Sequence, residues 1–211
     1  MRPLVIVGAG GHGREALDIV TAINEVEPTY DFLGFLDDGR SVGEIVAPHK
    51  HKILGGADLL QTLQAEYVIA IGDTDTRRTI ANAVEPVAAS APTSLIHPLA
   101  SIGSEVTYGS GLMMAAGARV THGVTLGAHV HINVNSTISH DCWVGDYVTI
   151  TPGSHVSGSV RIGDGVWLGI GAVVRQGTII ESGATVGAGA VVIDDLPAHC
   201  TAVGVPARPI R

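Results

Sequence analysis

Apolar positions along this chain follow two different periods, and the change falls near residue 92. Before it, short apolar runs alternate with helical patterns. Residues 4–7 read as a buried strand, and Ala16, Leu17, Ile19, Val20 and Ile23 share one face of a helix predicted over 14–26. Further strands are predicted over 30–36 and 67–71, a short one at 53–54, and helices over 57–63 and 74–84. Such alternation builds a small parallel α/β sheet. Across 88–93, Ala, Ser and Pro replace the pattern.

Beyond that point the period is six. A bulky, nearly always aliphatic residue recurs from Ile96, Ile102, Tyr108 and Met114 through to Val192, seventeen times without a break. Four places after many of these stands a small or β-branched residue, as at Val106, Ala118, Val124, Ser136, Cys142, Val148, Ser154, Ala172 and Ala184. Both sets are expected to face one narrow interior. A six-residue period suits neither an amphipathic helix nor a plain alternating strand. It suits a triangular parallel β-solenoid with three hexads per coil. The expected organisation is therefore a Rossmann-like α/β half domain over 1–92 and a parallel β-helix over 93–211, left-handed by the resemblance described below.

Composition agrees: 28 glycines, 4% aromatic and 15% charged residues describe a chain of small and β-branched side chains. A net charge of −8 argues against nucleic acid or an anionic membrane as partner, so an anionic ligand needs local cations. The apolar run at 4–7 is too short for a signal or membrane segment. Two cysteines in different contexts suit a reducing, cytoplasmic compartment and imply no metal.

Gly8-Ala9-Gly10-Gly11-His12-Gly13 follows a predicted strand and opens a predicted helix, the context in which glycine lets a backbone approach a diphosphate. Asp37 and Asp38 follow the second strand, where a ribose hydroxyl or base edge is within reach. The α/β half has room for about one mononucleotide-binding unit, which disfavours a dinucleotide.

Five histidines lie between 122 and 155. Residues eighteen apart stack in adjacent coils at about 4.8 Å, so Ser104, His122, His140, Gly158 and Gln176 form one outward column near a corner, while His131, Thr149 and Trp167 form another. His140 is the best candidate base. It is followed by Asp141, which favours imidazolium, and the N–H of Gly158 above it is a candidate donor for an oxyanion. His122, one coil below, has no acidic residue beside it in sequence.

The hexads over 96–192 and the tail Gly204-Val205-Pro206-Ala207-Arg208 resemble the left-handed β-helix acyltransferases. With the first half included, the chain resembles the sialic acid O-acetyltransferase and bacillosamine or perosamine N-acetyltransferase family. That resemblance implies a homotrimer with acetyl-CoA between neighbouring subunits and a nucleotide-linked amino sugar as acceptor. It places Gly10, Gly11, His12, Asp37, Asp38 and Gly72 on the nucleotide sugar, His140 as base with Asp141 beside it, and Asn133 on the substrate. Ile170 and Ala188 match CoA-lining positions, and Arg208 is a candidate partner for a CoA phosphate. Bacillosamine acetyltransferases carry a second histidine nine residues after the base; here Thr149 stands there, with a hydroxyl able to donate to a thioester carbonyl. O-acetyl transfer to sialic acid, zinc-dependent CO₂ hydration on the same solenoid, and a non-catalytic nucleotide-sugar sensor are the competing readings.

Overall fold

The computed structural model describes residues 1–46 and 50–210 and divides into two compact units, Met1–His97 and Pro98–Arg211. In the first unit, β1 (Arg2–Val7) is an interior strand of a sheet, and its Leu4, Val5, Ile6 and Val7 are apolar on both faces and almost fully buried. It pairs in parallel with β2 (Tyr30–Leu36) on one side and with β5 (Glu66–Ile69) on the other. Beyond β2 runs β4 (His51–Gly55), also parallel, and β3 (Ile45–Val46) closes that edge antiparallel to β4. The order is β3-β4-β2-β1-β5. The antiparallel edge strand has only two residues, too few for periodicity to reveal.

Helix α1 (Gly11–Val26) begins three residues earlier than its apolar face suggests, since Gly10 is its N-cap. It buries Ala16, Leu17, Ile19 and Val20, each large aliphatic side chain contributing about 1.5–3 kcal/mol. Helix α2 (Thr74–Val84) is capped by Asp73, whose carboxylate accepts from the Thr76 N–H at 2.8 Å; such a cap is worth about 1 kcal/mol. Residues Ala57–Gln61 make a single 3₁₀ turn where a longer helix was expected.

The second unit is a parallel β-solenoid. Each hexad contributes a two-residue strand, and each strand pairs with the one eighteen residues on: Arg119 with Thr137, Thr125 with Trp143, His131 with Thr149. Three sheets result, one for each side of the coil, parallel throughout except where the tail strand Arg208–Pro209 pairs antiparallel with Thr201–Val203. From Met114 to Val192 every recurring bulky residue is buried, and so are Ala118, Val124, Ser136, Cys142, Val148, Ser154, Ala172 and Ala184. The small polar members satisfy themselves at the corners: Ser136 donates to the Thr151 carbonyl at 2.8 Å and Ser154 to that of Gly169 at 2.9 Å. The expectation of a buried residue in every hexad fails in the first coil, where Ile96, Ile102 and Val106 are half-buried and Tyr108 is 46% exposed, in a strand at the end of its sheet with a neighbour on one side only.

Every coil turns its corners through a left-handed residue, six apart along the chain. Glycine fills most of these places, for instance Gly111, Gly117, Gly123, Gly153, Gly165, Gly171 and Gly177, which accounts for much of the glycine content. Asp141 occupies one of them at φ 58°. A side chain there costs roughly 1 kcal/mol, so its carboxylate stands at a corner that glycine would occupy without strain.

Candidate active site

The turn after β1 contains glycines of two kinds. A Cβ on Gly8 would lie 2.9 Å from Ile71 Cγ1, and one on Gly13 only 2.0 Å from the Gly8 carbonyl oxygen, so both are glycine for close packing. At Gly10, Gly11 and Gly72 a Cβ would meet nothing within 4 Å. These three border open space at the C-terminal ends of β1 and β5, where open α/β sheets take their ligands. The first turn of α1 has no acidic residue and no side-chain cap, leaving its N–H groups for an anion.

Asp37 holds this turn together. One carboxylate oxygen accepts from the Ala9 N–H at 2.9 Å and the other from the Gly39 N–H at 3.0 Å. Asp38 accepts from the Ala57 N–H at 3.3 Å. Both aspartates line a cleft of about 160 Å³ with Val7, Gly8, Leu36 and Ile71. The His12 ring is largely covered and bonds to Glu15 at 3.1 Å. Burial pushes its pKa down; the Glu15 carboxylate opposes that and the Arg77 guanidinium adds to it.

Arg77 itself gave no signal in the sequence, where an Arg77-Arg78 pair on a polar helix reads as a solvated face. It is completely buried and donates through Nη1 to the carbonyls of Ile71 at 2.5 Å and Gly72 at 3.1 Å.

In the solenoid, His140 and Asp141 follow the strand Thr137–Ile138. His140 Nδ1 lies 2.8 Å from Asp141 Oδ2, in an exposed pair. With the carboxylate accepting from Nδ1–H, Nε2 carries the lone pair and is the basic nitrogen. The coil above sets the ring: a Cβ on Gly158 would lie 2.5 Å from His140 Cε1 and 2.6 Å from Nε2. The imidazole thus lies against a position that must lack a side chain, and Gly158 is buried behind it. Below, Asp141 Oδ1 lies over Gly123. His122 turns to the coil beneath it, with Ser104 Oγ at 3.0 Å and Glu105 Oε2 at 3.7 Å. The expectation that it lacks an acidic neighbour is therefore corrected, because the carboxylate arrives from an adjacent coil.

The remaining candidates stand elsewhere. Asn133 follows the strand His131–Ile132, Ile170 follows Trp167–Leu168, and Ala188 follows Thr185–Val186; these strands belong to one sheet, so the three residues share one corner. His140, Asp141 and Gly158 follow strands of the next sheet and occupy the next corner. Ile170, 61% exposed, and Ala188 border a groove of about 230 Å³ with Trp167, Gly169, Thr185 and Gly187. Thr149 is 2% exposed between His131 and Trp167, so its hydroxyl is not presented with His140 at the surface. Arg208 is bound to Asp194 at 2.7 Å. Among the described residues no three His, Cys, Asp or Glu side chains of one chain are placed to hold a metal ion, and no helix is long and apolar enough to cross a membrane.

Residues 3–84 match the family described as PglD N-terminal domain, and residues 159–194 match bacterial transferase hexapeptide (six repeats). The acetyltransferase domain of PglB from Neisseria gonorrhoeae is 36% identical, with all of both chains covered and a TM-score of 0.90; it has also been solved with acetyl coenzyme A. WeeI from Acinetobacter baumannii is 30% identical over the whole of both chains, TM-score 0.87. PerB from Caulobacter crescentus, solved with CoA and GDP-perosamine, is 28% identical over 99% of this chain and 97% of its own, TM-score 0.89. No curated protein matches.

Proposed function

The chain belongs to the left-handed β-helix acyltransferases of the sialic acid O-acetyltransferase and bacillosamine and perosamine N-acetyltransferase family, and on that premise we propose that it transfers acetyl from acetyl-CoA to the amino group of a nucleotide-linked amino sugar. The observation that carries the chemistry is the His140–Asp141 pair, 2.8 Å apart and seated on the side-chain-free Gly158. His140 Nε2 takes the proton of the amine as its nitrogen attacks the thioester carbonyl. Asp141 fixes the tautomer and stabilises the imidazolium that forms. The Gly158 N–H, which makes no hydrogen bond within the described residues, donates to the oxyanion. Collapse of the tetrahedral intermediate re-forms the carbonyl, breaks the carbon–sulfur bond and releases CoA, whose thiolate recovers the proton.

The nucleotide diphosphate lies against Gly10, Gly11 and Gly72, where open space and the N-terminus of α1 favour an anion. His12 sits at its edge, and Asp37 and Asp38 face the nucleoside from the rim of the cleft. Ile170 and Ala188 line the acetyl-CoA groove; Arg208 contacts its phosphates on exchanging Asp194 for them, and Thr149 lies in the CoA-side sheet between His131 and Trp167. Asn133 and the CoA groove share one corner while His140 holds the next. A second copy of the chain that brings its CoA corner to the His140 corner completes the site, which is the arrangement of a homotrimer. The test is CoA release against UDP-, GDP- and dTDP-linked amino sugars and free sialic acid. Turnover of an amino sugar with formation of an amide is expected. Acetylation of sialic acid alone, at oxygen, would overturn the choice of acceptor.

A further inference from the structure

A completely buried arginine is unusual, because an ionised side chain is excluded from a protein interior unless its charge is answered there. Backbone oxygens are among the groups that answer Arg77: its guanidinium donates to the Ile71 and Gly72 carbonyls, at 2.5 and 3.1 Å. Those two residues form the turn between β5 and α2. The same turn packs on the glycine-rich loop, since Ala70 O and Ile71 Cγ1 are the atoms that leave no room for a Cβ on Gly8. Gly72, at its end, faces open space as Gly10 and Gly11 do.

From this chain of contacts we propose that Arg77 is the positioning residue of the nucleotide site: it clamps the Ile71–Gly72 turn against Gly8, at the surface where a diphosphate binds. The inference rests on the nucleotide-sugar reading above and adds to it a residue that never touches the ligand. Two consequences separate the clamp from general support of the fold. The first is selectivity for one substrate, because the solenoid groove for acetyl-CoA shares none of these contacts. The second is that lysine, which keeps the charge but offers a single flexible donor group in place of a planar fork, restores only part of the function. His12 also reports on the charge, since the guanidinium helps to hold its pKa below the ordinary value.

The experiment measures binding of UDP, GDP and dTDP to the full chain by calorimetry, with steady-state kinetics for both substrates, in wild type, Arg77→Met and Arg77→Lys. Thermal unfolding is followed in parallel. The expected result for Arg77→Met is a nucleotide affinity about 10- to 100-fold weaker, the usual effect of removing a charged hydrogen-bond donor, with KM for acetyl-CoA and kcat at saturation within about twofold of wild type. Arg77→Lys falls between. Nucleotide affinity unchanged in a folded variant overturns the proposal, and so do equal losses for both substrates that track the fall in melting temperature. If Arg77→Met does not fold, Arg77→Lys decides on the same criteria. A wild-type protein that binds none of the three nucleotides while binding acetyl-CoA refutes the functional reading itself, a different outcome from wild-type binding that Arg77 variants leave intact.

Discussion

Gly158→Ala tests the site with a single methyl group. The added Cβ would stand 2.5 Å from His140 Cε1, 2.6 Å from Nε2 and 3.0 Å from Nδ1. Ordinary contacts between such atoms are about 3.5–4 Å, so the imidazole must withdraw by about 1 Å or swing away from Asp141. Gly158 is not among the corner residues with positive φ, so alanine brings no backbone strain and its N–H stays in place. The loss therefore isolates the placement of the ring from the donor at the oxyanion. A displacement of 1 Å at a reacting centre costs on the order of 10²-fold in rate, and loss of a positioned base costs about 10²–10⁴-fold. We expect kcat to fall by roughly 10²-fold, corresponding to about 2.7 kcal/mol. Binding of both substrates and the melting temperature should stay close to wild type. Steady-state turnover with thermal unfolding on the same preparation makes the comparison. Turnover within twofold of wild type would show that the ring does not need the seat that Gly158 provides.

Other substitutions probe the remaining links. His140→Ala should lower kcat by about 10²–10⁴-fold with binding of both substrates nearly unchanged; Asp141→Asn, which keeps the ring, should cost less. His122→Ala, whose ring bonds to Ser104 and Glu105 instead, should leave turnover near wild type, and loss of activity there with retention in His140→Ala would move the base to the other coil. Gly10→Val puts a side chain into open space and should weaken nucleotide-sugar binding while leaving acetyl-CoA affinity unchanged in calorimetry. His12, held below its ordinary pKa by burial, is neutral in the folded chain at a pH where the unfolded chain takes up a proton. As pH falls below about 6.5, this residue therefore removes stability. Melting temperatures at pH 7.5 and 5.5 should differ less in His12→Asn than in wild type, and an equal difference would show that the ring is solvated.

How much of this was legible in the sequence depends on whether a feature is repeated or singular. The solenoid repeats its constraint in every hexad, so the register Arg119↔Thr137 or Thr125↔Trp143 follows from counting in eighteens. The same count holds the separation of Asn133 from His140: they take the second and third places of successive hexads, which belong to different corners, although a gap of seven residues suggests neighbours. Single contacts between elements are not periodic and leave little trace. Asp37 reads as a ribose ligand after β2, yet both its oxygens accept from backbone N–H groups of Ala9 and Gly39, because the residue that follows a central strand is also within reach of the adjacent turn. Arg77 reads as a solvated helix charge until the carbonyls of Ile71 and Gly72 are placed around it. A further signal lies in the corner position of Asp141. Glycine fills most corner positions, but Glu105, His129, Asn135, Tyr147 and Ser159 also hold a side chain there at positive φ; a carboxylate at such a corner is a local conflict between backbone preference and sequence, of the kind found where a side chain has a task. Here that side chain lies 2.8 Å from the nitrogen of His140, so the conformational cost at the corner and the orientation of the base are two effects of the same residue.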